Sequence, residues 1–153
     1  MILLTVLVNW FSSKKEYVDK AVGSITDPEE IEKKKRLATK FWSALNENDI
    51  WMFFIMLAIT TIICWFYYIP FNKQSGRHYH PGYCALFGLI ACLLSGVATY
   101  LFCLGIVKVS YDTSLVMKMC FMNALYSLIW FIICSFVFCN FSSTNAYRWL
   151  KIR

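Results

Sequence analysis

Three long apolar runs dominate the second half of the chain, at residues 50–69, 83–107 and 114–139. They are 20, 25 and 26 residues long, and the first two contain no charged residue. Because an α-helix rises about 1.5 Å per residue, each run is long enough to cross the roughly 30 Å hydrocarbon core of a bilayer. A helix that is apolar on all sides has no face to give to water. The pattern predicts an all-α integral membrane protein with a three-helix membrane region at 50–141.

A shorter apolar segment occupies residues 1–12. Its apolar part would measure only about 16 Å as a helix, too short for an ordinary span. We expect a helix that lies at the interface or docks on the bundle, with a thin or tilted fourth span as the alternative. A signal peptide is disfavoured, because no basic residue precedes the apolar core and no small-residue cleavage site follows it.

The charged region at residues 13–49 contains a clear helix start. Asp27 is a typical N-cap, Pro28 fits the first helical position, and acidic residues follow before the basic ones. We predict an amphipathic helix over 28–45, after a short helix at 14–22. Its narrow apolar stripe would rest on the membrane surface with the basic residues outward, or it would pair with a second copy of the chain or with a partner protein. The candidate surface residues are Ile31, Ala38, Phe41, Trp42 and Leu45, with Lys33, Lys34, Lys35 and Arg36.

The polar residues 46–49 separate this helix from the first apolar run. Asn48 or Asp49 would serve as the cap of a new helix. The alternative is that the chain continues as one long helix from Pro28 into the membrane.

The net charge of +6 is unevenly placed. Residues 1–49 carry eight Lys/Arg and eight Asp/Glu, so the basic excess lies beside the apolar runs. Scattered basic residues of this kind meet lipid headgroups, and they do not predict nucleic-acid binding. By the positive-inside bias, the basic residues at 33–40 predict that the region 13–49 lies in the cytoplasm of a cell-membrane protein. The basic and aromatic tail at 142–153 is then an interfacial anchor on the other side, although its own positive charge opposes that threading.

The residues that could take part in catalysis or metal binding form no recognisable active site. All seven cysteines lie within the apolar runs, where they act as small apolar side chains, although Cys84 and Cys139 would reach the same side and could pair. His78, His80 and Cys84 are too few for a structural zinc site. No phosphate loop, metalloprotease motif or nucleophile elbow occurs. We therefore expect no metal, no cofactor and no enzymatic activity.

Two side-chain patterns stand out within the predicted spans. Gly88, Cys92 and Gly96 recur every four residues, which is typical of close helix packing in lipid, within the chain or between copies. Asn123 and Ser127 lie one turn apart, with Lys118 a little earlier, and are candidates for a polar lining. Alternatively, the aliphatic part of the Lys118 side chain would run along the helix and bring the ammonium group to the membrane interface. Thr60 and Thr61 are expected to donate their hydroxyls to backbone carbonyls of their own helix.

These features favour a non-enzymatic, oligomeric membrane protein that forms a pore or perturbs the membrane. The organisation is similar to that of small membrane effectors in bacterial antiviral systems, in architecture alone. The alternative is a membrane anchor or accessory subunit that recruits a soluble partner through the helix 28–45. A third hypothesis is a sensor or regulatory subunit that uses the loop between the first two spans.

Overall fold

The computed structural model describes residues 14–23, 27–71, 81–106, 113–139 and 141. Within this part of the chain, 94% of residues are helical and none forms a strand. There are four helices: α1 (Lys14–Val22), α2 (Pro28–Tyr68), α3 (Pro81–Ile106) and α4 (Thr113–Phe138). The all-helical prediction is confirmed. The apolar segment at 1–12, His78, His80 and the tail at 142–153 lie outside the described residues.

The start of α2 follows from its capping residue. The Glu29 amide donates a hydrogen bond of 3.2 Å to Asp27 Oδ1, and the Ile31 amide donates one of 3.0 Å to the Asp27 carbonyl. Pro28 takes the first helical position, where its missing N–H costs nothing. The helix begins where the sequence predicts, and it ends at Tyr68, just before Pro70.

Of the two alternatives for residues 46–49, the structure has the continuous helix. The 41 residues of α2 contain no glycine, and proline occurs only at the first position, so nothing breaks the backbone hydrogen-bond ladder. The Asn48 side chain donates a 2.9 Å hydrogen bond to the Ala44 carbonyl one turn earlier and caps no new helix. At 1.5 Å per residue, α2 is about 60 Å long, roughly twice the hydrocarbon thickness.

Three helices, α2, α3 and α4, are long and apolar enough to cross a membrane. The most apolar part of each is only 28% buried within the chain. Large side chains such as Leu93, Leu89 and Phe121 therefore lie at the protein surface. A surface of this kind is costly in water, so the fold is compatible with a membrane protein.

The chain divides into two compact units. The first comprises Met1–Phe54 and Tyr100–Met119, and its described residues include α1 and the charged part of α2. Helix α1 packs through Tyr17, whose ring centroid lies 5.4 Å from that of Trp42. Further along, the Cys103 thiol lies 3.6 Å from the Met52 sulfur. A nine-residue helix such as α1 is marginal by itself, so its docking on α2 stabilises it.

The second unit comprises Ile55–Thr99 and Cys120–Arg153. Its contacts fix the helix directions. Thr60 lies beside Ser95 of α3, and Tyr67 beside Phe87, so α2 and α3 are antiparallel. Helix α4 runs parallel to α2 within the unit, because Thr60 meets Ser127 and Cys64 meets Phe131. One end of the unit is an apolar cluster whose buried members are Cys64, Tyr67, Tyr68, Cys84, Ala91, Phe131 and Cys134.

Candidate functional site

The interior of the second unit contains a group of polar side chains that we call the polar cluster: Thr60, Ser95, Thr99, Asn123 and Ser127. All five are at most 3% exposed, although the surrounding helices are apolar. One member comes from α2 and two each from α3 and α4. A buried polar group without a partner is costly in an apolar medium, so the hydrogen bonds of the cluster decide whether it stabilises the fold.

Three hydroxyls form the centre of the polar cluster. Thr60 Oγ1 lies 2.8 Å from Ser127 Oγ, and Ser95 donates to Ser127 over 3.1 Å. Thr60 also donates to the Met56 carbonyl of its own helix over 2.8 Å. Each hydroxyl has a single proton, so Ser127 must be the donor to Thr60. The result is a directed chain from Ser95 through Ser127 and Thr60 to a backbone carbonyl, and it joins all three helices.

A second branch of the cluster joins α3 and α4. The Asn123 amide donates a 2.8 Å hydrogen bond to Thr99 Oγ1, and Thr99 donates one of 2.8 Å to the Ser95 carbonyl. The two branches therefore meet at Ser95. Asn123 and Ser127, predicted from the sequence as a polar lining, are thus both buried and hydrogen-bonded within the chain.

Lys118 is exposed, and it belongs to the first unit, whereas Asn123 and Ser127 belong to the second. A lining role for them stays a prediction.

A second row of polar contacts joins α2 to α4. Trp130 Nε1 donates a 3.0 Å hydrogen bond to Thr61 Oγ1, and the Cys64 sulfur lies 3.8 Å from Ser135 Oγ. Thr60 donates to its own helix as the sequence suggests, but Thr61 instead accepts from the neighbouring helix. An indole N–H needs a partner when it is kept from water, and Thr61 supplies it.

The glycines of α3 lie against α4. A methyl group at Gly88 would be 3.5 Å from Phe131 Cδ1, and one at Gly96 would be 3.7 Å from the Cys120 carbonyl oxygen. Cys92, between them, is half-buried. The small residues thus allow α3 to approach α4 of the same chain closely, in the antiparallel order that the polar cluster also shows.

The apolar stripe of the predicted helix 28–45 is largely covered. Phe41, Trp42 and Leu45 are buried in the first unit, and Tyr17 of α1 covers Trp42. Ile31 is half-buried. The role of these side chains as a partner or membrane surface stays a prediction, and within the chain Trp42 packs against α1.

The charged residues of the same helix are mostly exposed. Lys33, Lys35 and Arg36 are exposed and Lys34 is half-buried. Arg36 forms a 2.6 Å ion pair with Glu32. A groove of about 420 Å³ runs along one side of α2, and the described residues that line it are Glu29, Glu32, Lys33, Arg36, Leu37 and Lys40.

The polar cluster is suited to holding helices together. The described part of the second unit contains no Asp, Glu, Lys, Arg or His, so no side chain there would act as a general base for a hydroxyl. No group of three or more potential metal ligands occurs among the described residues. Sequence reasoning did not single out Ser95 and Thr99 as partners of Asn123 and Ser127. Their only signal was a pair of hydroxyls four residues apart in an apolar run.

Substitutions of the two partners in the Asn123–Thr99 hydrogen bond are expected to lower the stability of the protein by unequal amounts. Thr99→Val removes the acceptor and leaves a buried amide N–H without a partner, which costs about 1–2 kcal/mol. Asn123→Leu removes the donor, and Thr99 still donates to the Ser95 carbonyl, so the loss is expected to be less than half as large. Unfolding by SDS titration, followed by circular dichroism, measures both. Equal losses would contradict the direction that we assign to this hydrogen bond.

Comparison with known protein families, with curated protein sequences and with solved structures finds no match for this chain.

Proposed function

We propose that this protein is a non-enzymatic, multi-pass membrane anchor that holds a soluble protein at the cytoplasmic surface of the cell membrane. The observation that carries the proposal is the unbroken helix α2, which joins the charged segment 28–45 to an apolar span. A helix of 41 residues exceeds what the hydrocarbon needs by about 21 residues. On this proposal, the charged part of α2 lies outside the bilayer.

The continuity of α2 also bears on what its charged part can touch. If the helix leaves the membrane near Ile50, Lys40 lies about 15 Å and Lys33 about 25 Å beyond the hydrocarbon boundary. The headgroup layer on each side is only about 5–8 Å thick. A helix lying flat on the headgroups would need a sharp bend near residues 46–49, and this stretch has neither proline nor glycine. The charged face therefore meets water and soluble partners.

The second candidate is the pore or membrane-perturbing homo-oligomer. The exposed apolar surface of α3 and α4 would serve equally for contacts between copies. However, Asn123 and Ser127 are buried and hydrogen-bonded inside one chain, so they are poorly placed to line a channel between copies. This arrangement favours the anchor over a pore that uses these side chains.

The mass of the complex separates the two candidates. The protein is extracted from cells directly into polymer-bounded lipid discs, and the mass of the protein part is measured by native mass spectrometry. We expect this chain together with a soluble protein in a fixed ratio. A homo-oligomer of four or more copies without another protein, together with ion conductance in planar bilayers, would overturn the anchor and support the pore.

A further inference from the structure

The groove on the charged part of α2 has an ordered arrangement of side chains. Lys33, Leu37 and Lys40 are spaced four and three residues apart, so they share one face of the helix. Lys33 and Lys40 are separated by two helical turns, or about 10 Å. The half-buried Leu37 lies between them. The described lining thus has one half-buried leucine between two exposed lysines on one face of the helix.

The charges in the groove differ in their availability. Arg36 is already paired with Glu32 at 2.6 Å. Within the described part of the chain, no carboxylate lies within ion-pair distance of Lys33 or Lys40. The described lining contains two carboxylates, Glu29 and Glu32, of which Glu32 is balanced by Arg36. Lys33 and Lys40, whose positions are about 10 Å apart along the helix axis, exceed the remaining carboxylate by one charge, so they are the part of the groove that an acidic ligand would neutralise.

Neither a second copy of the chain nor the lipid surface fits this groove. Copies in one membrane have the same orientation, so a symmetric pairing through this face would bring Lys33 against Lys33 and Lys40 against Lys40 of the other copy. Like charges placed opposite each other are unfavourable. On the membrane placement proposed above, with the boundary near Ile50, the groove lies beyond the lipid headgroups.

We propose that the groove binds an acidic helical segment of a soluble protein, which carries two carboxylates seven residues apart and an apolar side chain between them. The carboxylates pair with Lys33 and Lys40, and the apolar side chain packs on Leu37. This arrangement is helix-in-groove recognition with electrostatic selection. The proposal rests on the anchoring function and names the chemistry of the partner.

The test uses the full-length protein in phosphatidylcholine nanodiscs and a fluorescein-labelled, alanine-based helical peptide. The peptide carries glutamates at positions i and i+7 and a leucine at i+4, and binding is followed by fluorescence anisotropy at low salt. A peptide of the same composition with the two glutamates adjacent is the ligand control. We expect the first peptide to bind at least about tenfold more tightly than the second, because only it places both carboxylates on one face.

Lys33→Glu and Lys35→Glu form a matched pair of variants. Both residues are exposed, and both substitutions change the charge by the same amount, but Lys35 does not line the groove. Lys33→Glu and Lys40→Glu are each expected to weaken binding about tenfold, and Lys35→Glu less than twofold. Equal effects of Lys33→Glu and Lys35→Glu would overturn the proposal in favour of a general charge effect, and so would the absence of peptide binding.

Two further outcomes separate the groove from the function on which it rests. If phosphatidylglycerol in the nanodisc weakens peptide binding as much as Lys33→Glu does, the groove faces lipid and the proposal is overturned. If Lys33→Glu leaves a co-extracted soluble protein fully bound, the anchoring function stands but this groove is not its site. If only a homo-oligomer is extracted, the anchoring function itself fails.

Discussion

Gly96→Leu is expected to destabilise the protein by about 2–3 kcal/mol. A first side-chain carbon at Gly96 would already lie 3.7 Å from the Cys120 carbonyl oxygen and 4.0 Å from Ala124 Cβ. These are ordinary contacts, so the space is filled before the rest of the leucine is added. The larger side chain must then push α3 away from α4, with the cost typical of an overpacked core. SDS titration followed by tryptophan fluorescence measures the loss.

Gly105→Leu is the matched control, because no residue that the structure describes lies within 4 Å of a side-chain carbon built there. It makes the same chemical change on the same helix and improves helix propensity. It is therefore expected to leave stability unchanged or slightly higher. If both variants lose stability equally, Gly96 has no special role in packing.

Ser127→Leu is expected to cost about 3 kcal/mol, the largest loss from a single change in the polar cluster. Ser127 is fully buried, so the leucine has no room, and Ser95 also loses the acceptor of its hydrogen bond. The same SDS titration measures the effect.

Ser127→Ala separates the effect of the lost hydrogen bond from the effect of overpacking, because it removes the hydroxyl without adding volume. We expect a loss of about 1 kcal/mol, which is typical of a hydrogen bond between membrane helices. Thr60 keeps its donation to the Met56 carbonyl in this variant, so the damage is limited to Ser95. An alanine variant as unstable as the leucine variant would place the whole effect in the hydrogen bonds.

The positions of the helices could be predicted from the sequence, because each helix depends on the chemistry of nearby residues. The apolar runs predicted at 83–107 and 114–139 match Pro81–Ile106 and Thr113–Phe138 within two residues. Asp27 marked the start of α2 because a cap acts within one turn. Residues 46–49 were ambiguous because Asn and Asp serve as caps or as ordinary helical residues. The continuity of the backbone on both sides decides between these roles.

The contacts between helices could not be predicted from the sequence. Periodicity shows that Asn123 and Ser127 share a face, but not which residue of α3 lies opposite them. The alignment of α3 with α4 depends on how Gly88 and Gly96 pack against α4, and this packing is a property of the two helices together. Trp42 likewise reads as a surface aromatic until Tyr17 of α1 is seen to cover it.

Three buried hydroxyls already have an acceptor inside their own helix. Thr60 donates to Met56, Thr99 to Ser95 and Ser135 to Phe131, each to a carbonyl one turn earlier. Under the proposed membrane placement, each of these helices would enter the bilayer without an unsatisfied hydroxyl at these positions. Helix α2 contacts Ser95 of α3 and Ser127 and Trp130 of α4, and α4 follows both helices in the chain. The hydrogen bonds between α2 and α4 therefore form only after α4 has been synthesised, and a nascent chain released before α4 would have α2 and α3 without them.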